Sequence, residues 1–317
     1  MKPMNHLKSI FLASALISGI SITAHAEINV VSSVKPLHSL VSGVMEGVAR
    51  PDLIVKGSAS PHTYSLRPSQ ARQLEDADLV FWMGHELESF LEQPLEAIAT
   101  KGHIVELIDS SKLKKIKMRE GGMFDAHAHD DHDEHEGHDD HGHGEFDVHV
   151  WLDPENAKVL VDEIKLALIE LDPVNSSKYE SNSNKMNMKL DQLIDEVSNK
   201  LESDKGKGYV VFHDAYQYFE QRFGMSAVGS ITVSPEVVPG ANRIRELKNK
   251  INELNAHCVF SEPQFEPKLV STVIEGTQAN TGVLDPLGAS INDGPELYFT
   301  LIRNMADSLH ECLSKKD

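Results

Sequence analysis

Residues 175–205 read NSSKYESNSNKMNMKLDQLIDEVSNKLESDK, with no glycine or proline until Gly206. Met186, Met188, Leu190, Leu193, Ile194, Val197 and Leu201 recur at helical spacing. Asp172-Pro173 interrupts the preceding helical pattern, so a new helix begins here. The stretch predicts a single helix of about 30 residues, roughly 45 Å long at 1.5 Å per residue. A rod of that length joins two bodies stiffly. It differs from the flexible strands of a hinge-closing binding protein and limits relative lobe motion.

On either side of this rod, strand-like and helix-like segments alternate. Before it, the strand-like runs are 28–34, 52–56, 78–83 and 103–108. Helical stretches at 37–49, 68–77 and 86–99 lie between them, and another at 154–171 leads into the rod. Beyond it, the strand-like runs are 208–213, 226–231, 257–261 and 281–284. Helices are expected at 215–223, 241–255 and 267–278, with a closing helix at 294–313. Strands alternating with helices read as βαβ units with parallel sheets. The expected fold is therefore α/β: two lobes, each a parallel four-stranded sheet flanked by helices, joined by one long rigid helix. The expected boundaries are an N-terminal lobe at 27–173, the linking helix at 174–205 and a C-terminal lobe at 206–317.

The chain starts with a leader pattern. Lys2 and Lys8 precede the apolar run IFLASALISGISI, and Ala24-His25-Ala26 fits a small-x-small cleavage site. The apolar run is short against the roughly 20 residues a bilayer span needs. Residues 1–26 are expected to be a cleaved secretory signal, and the mature protein a soluble, exported one. Their removal takes the formal charge from −19 to −21. Such a balance argues against nucleic acid or anionic lipid as a partner and suits a protein that gathers cations.

Cys258 and Cys312 are the only cysteines. In an oxidising compartment such a pair is expected to form a disulfide. It would close a loop of about 55 residues, worth ~4 kcal/mol in the chain-entropy model, and tie a C-terminal helix to a core strand. The alternative is metal binding, for which only His257 lies at ligand spacing, on the opposite face of a strand.

Between Asp125 and Glu145 the chain reads DAHAHDDHDEHEGHDDHGHGE. His127, His129, His132, His135, His138, His141 and His143 are interleaved there with carboxylates, without a single Lys or Arg. This is a metal-binding composition. The spacing holds no helical face, and Gly137, Gly142 and Gly144 break any helix. Residues 118–146 therefore read as an insertion in the first lobe, disordered without metal. It is expected to supply weaker, multiple, exchangeable sites.

A discrete site needs ligands that the fold brings together. In open α/β sheets ligands collect beyond the carboxyl ends of the strands. Four polar groups hold such positions: His62 in GSASPHTYSLRP, His149 in FDVHVWLDP, His213 in YVVFHDAY and Asp285 in GVLDPLG. Each has a plainer role available. His62 could cap the helix begun by Pro68, and His149 could be an ordinary strand residue. His213 could be a hydrogen-bonded core residue, and Asp285 an Asx-turn residue. Two come from each lobe, so a cleft between lobes could collect all four. His85, His103 and His257 lack such positions, and His38 is an outsider near the end of the first strand.

The stretches SPHTYSLRPSQ, DVHVWLDP, GKGYVVFHDAYQYFEQRFG, SPEVVPGANRIREL, CVFSEPQF and GVLDPLG resemble the zinc-specific solute-binding proteins of bacterial ABC importers, the ZnuA type. The resemblance covers nearly the whole mature chain, in family order, and extends to the acidic histidine-rich insertion. It implies two lobes, a rigid linking helix and Zn2+ held in the cleft for delivery to an ABC importer permease. It also implies a periplasmic location and a binding role without covalent chemistry. Carried over by motif, the imidazole ligands are His62, His149 and His213. In some members a Glu precedes the first of these. Here that position is Pro61, which leaves water as the fourth ligand, with Asp285 behind it or weakly bound, or a histidine from the insertion. The two cysteines match the disulfide positions of enterobacterial-type members. A monomer is expected.

Three imidazoles with at most one carboxylate lean toward zinc, which takes tetrahedral nitrogen and sulfur ligands. Manganese prefers more oxygen donors, whereas copper and nickel also fit such a set. Neutral imidazole is the ligand, so affinity should fall below about pH 6.5. The alternatives are a binding protein for another divalent metal (Mn, Ni or Cu) and a zinc hydrolase, in which Glu262 would act as general base on a zinc-bound water.

Overall fold

The computed structural model describes residues 28–119, 146–232, 239–253, 256–265 and 268–315. The expected leader at 1–26 and the seven tract histidines at 127–143 lie outside them. The first sheet is built from β1 (Val30–Ser32), β2 (Asp52–Leu53), β3 (Leu79–Trp82) and β4 (His103–Glu106), in the order β2-β1-β3-β4. The second is built from β5 (Tyr209–His213), β6 (Ala227–Thr232), β7 (Cys258–Ser261) and β8 (Asn280–Val283), in the order β6-β5-β7-β8. All pairings are parallel. The two sheets thus share one topology, and in each the first strand sits next to the third.

Why these residues make strands is visible in their burial. LVFW of β3 and YVVFH of β5 are buried at every position. Central parallel strands covered by helices on both faces are apolar throughout. The edge strands β4 and β8 keep exposed positions. The helices of the first half are α1 (Lys35–Val44), which packs on β1 and β2, α2 (Pro68–Asp76), α3 (Ser89–Ala97) and α4 (Pro154–Leu171). After the linking helix α5 (Ser176–Leu201) come α6 (Gln217–Phe223), α7 (Ala241–Glu253), α8 (Lys268–Ile274) and α9 (Leu297–Leu313). Among the described residues no helix is long and apolar enough to cross a membrane.

The linking helix has 26 residues, about 39 Å at 1.5 Å per residue. Short 3-10 turns at Pro173–Asn175 and Glu202–Asp204 take up the remainder of the expected span. Its buried face is Tyr179, Asn182, Ser183, Met186, Leu190, Leu193, Val197 and Leu201. Met188 is exposed, because two residues beyond Met186 is the far side of a helix. The helix packs on α1 and α4 of the first half and on α9 of the second. Asn182 donates from Nδ2 to the carbonyls of Val44 (2.9 Å) and Glu46 (2.8 Å), closing the end of α1.

Several helices are shorter than expected. The stretch 86–99 becomes helical only from Ser89 because the Glu88 side chain folds back onto the Met83 and Gly84 amides, at 2.8 and 3.1 Å. Helix α1 ends at Val44, and Gly47, at φ 75°, turns the chain away. Helix α8 stops at Ile274, before Gly276 at φ 81°. The cysteines form the expected disulfide, with a sequence separation of 54, and it joins the start of β7 to the last turn of α9.

Candidate metal centre

A cleft is lined by His62, which follows β2, by His149 and Trp151, by His213 of β5, and by Glu262 and Phe265, which follow β7, among others. His213 is the last residue of β5, and its position follows from the strand itself. His62 lies in a 3-10 turn, Pro61–Thr63, in the loop after β2, and not at a helix cap, since Arg67 holds that position for α2. His149 is not in a strand either. It precedes a 3-10 turn, Val150–Leu152, that leads into α4, where Pro154 and the Asp153 cap start the helix.

One nitrogen from each of the three rings lies within 4.8 Å of the others. The ring centroids are 5.3 Å apart for His149 and His213, 5.7 Å for His62 and His149, and 5.9 Å for His62 and His213. A tetrahedral ion with bonds of about 2.0–2.1 Å puts its ligand nitrogens roughly 3.4 Å apart. Small side-chain rotations close that difference.

Two of the rings are held from behind by buried carboxylates. His149 Nδ1 lies 2.7 Å from Asp147 Oδ1, which also accepts the His149 backbone N–H at 3.0 Å. His213 Nδ1 lies 2.7 Å from Glu262 Oε1, which accepts the His213 backbone N–H at 3.3 Å. Asp147 and Glu262 are 2% and 3% exposed. An imidazole beside a carboxylate donates its Nδ1–H to that oxygen in a hydrogen bond and keeps a lone pair on Nε2. At His213, Nε2 is buried and has no hydrogen-bond partner. Such an atom lacks a partner that a bound metal would supply.

Electrostatics separate His62 from His213. Burial, then the neighbouring His149 and His213, push the His62 pKa down to about 2, so this ring stays neutral. For His213, burial pulls the pKa down, but the charge and hydrogen bond of Glu262, with Asp214 and Asp147 behind it, raise it above the ordinary 6.5. The onset of proton competition therefore moves above the pH of about 6.5 expected from sequence.

Asp285 is not part of the cluster. Its Oδ1 accepts from Gln264 Nε2 (2.9 Å) and from the amides of Leu287 (3.1 Å) and Gly288 (2.9 Å), and its Oδ2 accepts from Ala289 (2.6 Å). It is a turn-forming carboxylate after β8, as its Asx-turn reading anticipates. Glu262, the general base of the hydrolase alternative, is committed through one oxygen to His213. Its Oε1 takes both the ring Nδ1 and the backbone N–H of His213. His38 is buried elsewhere and donates to the Pro51 carbonyl at 3.0 Å. Asp147 was legible only as the acid two residues before a ligand histidine, a spacing that occurs widely by chance.

The family model for zinc-uptake complex component A, periplasmic (ZnuA), matches residues 30–312. The high-affinity zinc uptake system protein ZnuA of Brucella suis biovar 1 (strain 1330) is 52% identical over 334 residues, covering 98% of this chain and 100% of that protein. The protein of the same name from Yersinia pestis is 37% identical over 311 residues, covering 97% and 98%. Among solved structures, a crystal structure of ZnuA superposes with a TM-score of 0.76 at 22% identity, covering 91% of this chain and 100% of that one. That last likeness is one of fold.

Proposed function

The chain belongs to the ZnuA family of periplasmic zinc-uptake components, and on that premise we propose that it captures one Zn2+ on His62, His149 and His213 and delivers it to the permease of an ABC importer. As a solute-binding component it carries its ligand unchanged and is not an enzyme. The observation behind this reading is the convergence of three imidazoles, two of them oriented by buried carboxylates so that Nε2 is free for a metal. An all-nitrogen donor set favours zinc over manganese or magnesium. Water takes the fourth position, because the Asp285 carboxylate is already engaged by four donors.

The same reading assigns residues 1–26 to a cleaved signal peptide and the mature chain to the periplasm as a monomer. It divides that chain into lobes at 27–173 and 206–317 around a linker at 174–205. The tract histidines at 127, 129, 132, 135, 138, 141 and 143 act as secondary, weaker sites that raise the local metal concentration beside the cleft. A zinc titration of the triple variant His62→Ala, His149→Ala, His213→Ala tests the proposal. Stoichiometric tight binding should vanish while the fold is kept. A tightly held zinc surviving in that variant overturns it. Restoration of growth under zinc limitation only with a partner permease present distinguishes delivery from buffering.

A further inference from the structure

The two carboxylates that orient the rings are themselves held differently. Glu262 follows β7 and serves His213 of β5, so that pair is built within the second half alone. Asp147 belongs to the first half, yet its second carboxylate oxygen and its carbonyl are taken by helix α6 of the second half. Gln217 Nε2 donates to Asp147 Oδ2 at 3.2 Å, and the Tyr218 hydroxyl donates to the Asp147 carbonyl at 2.7 Å.

Tyr218 does more than touch this segment. The Asp147 amide donates to the Ile116 carbonyl at 2.8 Å, next to an antiparallel bridge between Lys117 and Phe146. In a continuous ladder the Ile116 amide would answer to the carbonyl of Asp147. Instead it donates to the Tyr218 oxygen at 3.1 Å, and that hydroxyl passes a hydrogen bond on to Asp147. A side chain from the second half thus completes the backbone pairing of the first. Both side chains are buried: Tyr218 is 0% and Gln217 is 6% exposed. Each group removed would therefore leave a buried partner unsatisfied. The same helix is clamped nearby by Arg222, whose Nε and NH2 reach the two oxygens of Asp153 at 2.6 and 2.8 Å.

We propose that Gln217 and Tyr218 are positioning residues for the metal centre, which hold Asp147 from across the lobe boundary and through it fix the ring of His149. Docking of α6 and orientation of one imidazole are then a single event. When α6 parts from residues 116 and 147, Asp147 loses its support and His149 loses its tautomer together. The inference rests on the proposed site, and it adds that the grip on the metal is wired to the contact between halves.

The test compares Tyr218→Phe and Gln217→Leu with the wild-type full chain in two assays. In the first, zinc-loaded protein is mixed with excess chelator and the rate of metal loss is followed. Removing partners behind a ligating histidine typically costs about 10- to 100-fold in affinity, so loss should speed up by roughly that factor. In the second, imidazole nitrogen NMR is recorded on metal-free protein. In the wild type His149 should carry its proton on Nδ1, and in both variants the Nε2–H form should appear at His149 while His213 is unchanged. General destabilisation would not single out one ring. If Tyr218→Phe does not fold, Gln217→Leu, which loses a long bond to the Lys117 carbonyl (3.4 Å) but leaves the Ile116–Tyr218–Asp147 relay intact, decides. Unchanged metal loss and an unchanged His149 tautomer in a folded variant overturn the proposal. A wild-type chain that takes up no zinc overturns the site itself, a separate failure because the tautomer is read without metal.

Discussion

Replacing Glu262 by Gln isolates what a buried negative charge does for a ligating imidazole. The amide oxygen can still accept from His213 Nδ1 and from its backbone N–H, the two bonds now at 2.7 and 3.3 Å. The tautomer is kept; the charge goes, and the buried Oε2 becomes an NH2. Partners behind metal-ligating histidines contribute about 10- to 100-fold in affinity, which corresponds to about 1.4–2.7 kcal/mol at 1.36 kcal/mol per decade. At pH 8 the variant should therefore bind zinc that much more weakly. The same charge also favours the proton, since Glu262 raises the His213 pKa above 6.5. In the wild type, falling pH through that raised value protonates His213, and affinity then drops about tenfold per unit for the one proton displaced. In Glu262→Gln the pKa is lower, so the drop starts at lower pH. The deficit is thus largest at pH 8 and narrows toward pH 6. His62 does not blur the profile, because it stays neutral over this range. Competition with a chelator of calibrated affinity at pH 6, 7 and 8 measures it. A deficit that stays constant with pH, or no deficit at pH 8, refutes the reasoning.

Three further outcomes are expected. Changing both Cys258 and Cys312 to Ser should lower unfolding free energy by ~4 kcal/mol, seen in denaturant titration, with zinc affinity unchanged because Cys258 begins the strand whose far end leads to Glu262. Burial raises the Glu88 pKa to about 7; a carboxyl raised in the folded state contributes stability at low pH that is lost as pH climbs from its unfolded value near 4.3 to 7, so Glu88→Gln should raise the melting temperature at pH 8 and leave it nearly unchanged at pH 4. Deleting residues 125–145 should remove the weaker zinc equivalents in calorimetry and leave one tight ion; abolition of the tight site would mean that the tract supplies an essential ligand.

All eight strands and the linking helix were legible in the sequence, because buried parallel strands are apolar runs and a long Gly- and Pro-free stretch has few alternatives. Helix ends were less so. The start of α3 is set by a side chain, Glu88, that reaches back five residues to the Met83 amide, and no local pattern announces that. The histidine triad was legible as positions at strand ends plus a resemblance. What lies behind it was not. Glu262 meets His213 across 49 positions of sequence, and Tyr218 meets Asp147 across 71. Asp285 shows the converse: its place at a strand end fits a ligand, but its carboxylate is satisfied by the turn it makes.

The placement of the carboxylates explains how the proposed site reconciles two opposing demands. Nitrogen donors favour zinc over the harder ions, which calls for imidazoles and few oxygens at the metal. A dication in a buried cleft also needs nearby negative charge, because burying an uncompensated ion is costly. Carboxylates bonded directly to the metal would meet the second demand at the expense of the first. In the proposed site Asp147 and Glu262 would meet both by standing one imidazole away, each bonded to a ring Nδ1 and leaving the ligand positions to nitrogen. Exchanging one imidazole for a carboxylate at the metal breaks the compromise. A His149→Asp variant would supply an oxygen ligand beside Asp147, and its preference for zinc over manganese, measured by competition, should fall. An undiminished preference would show that selectivity resides in cleft shape and not in donor chemistry.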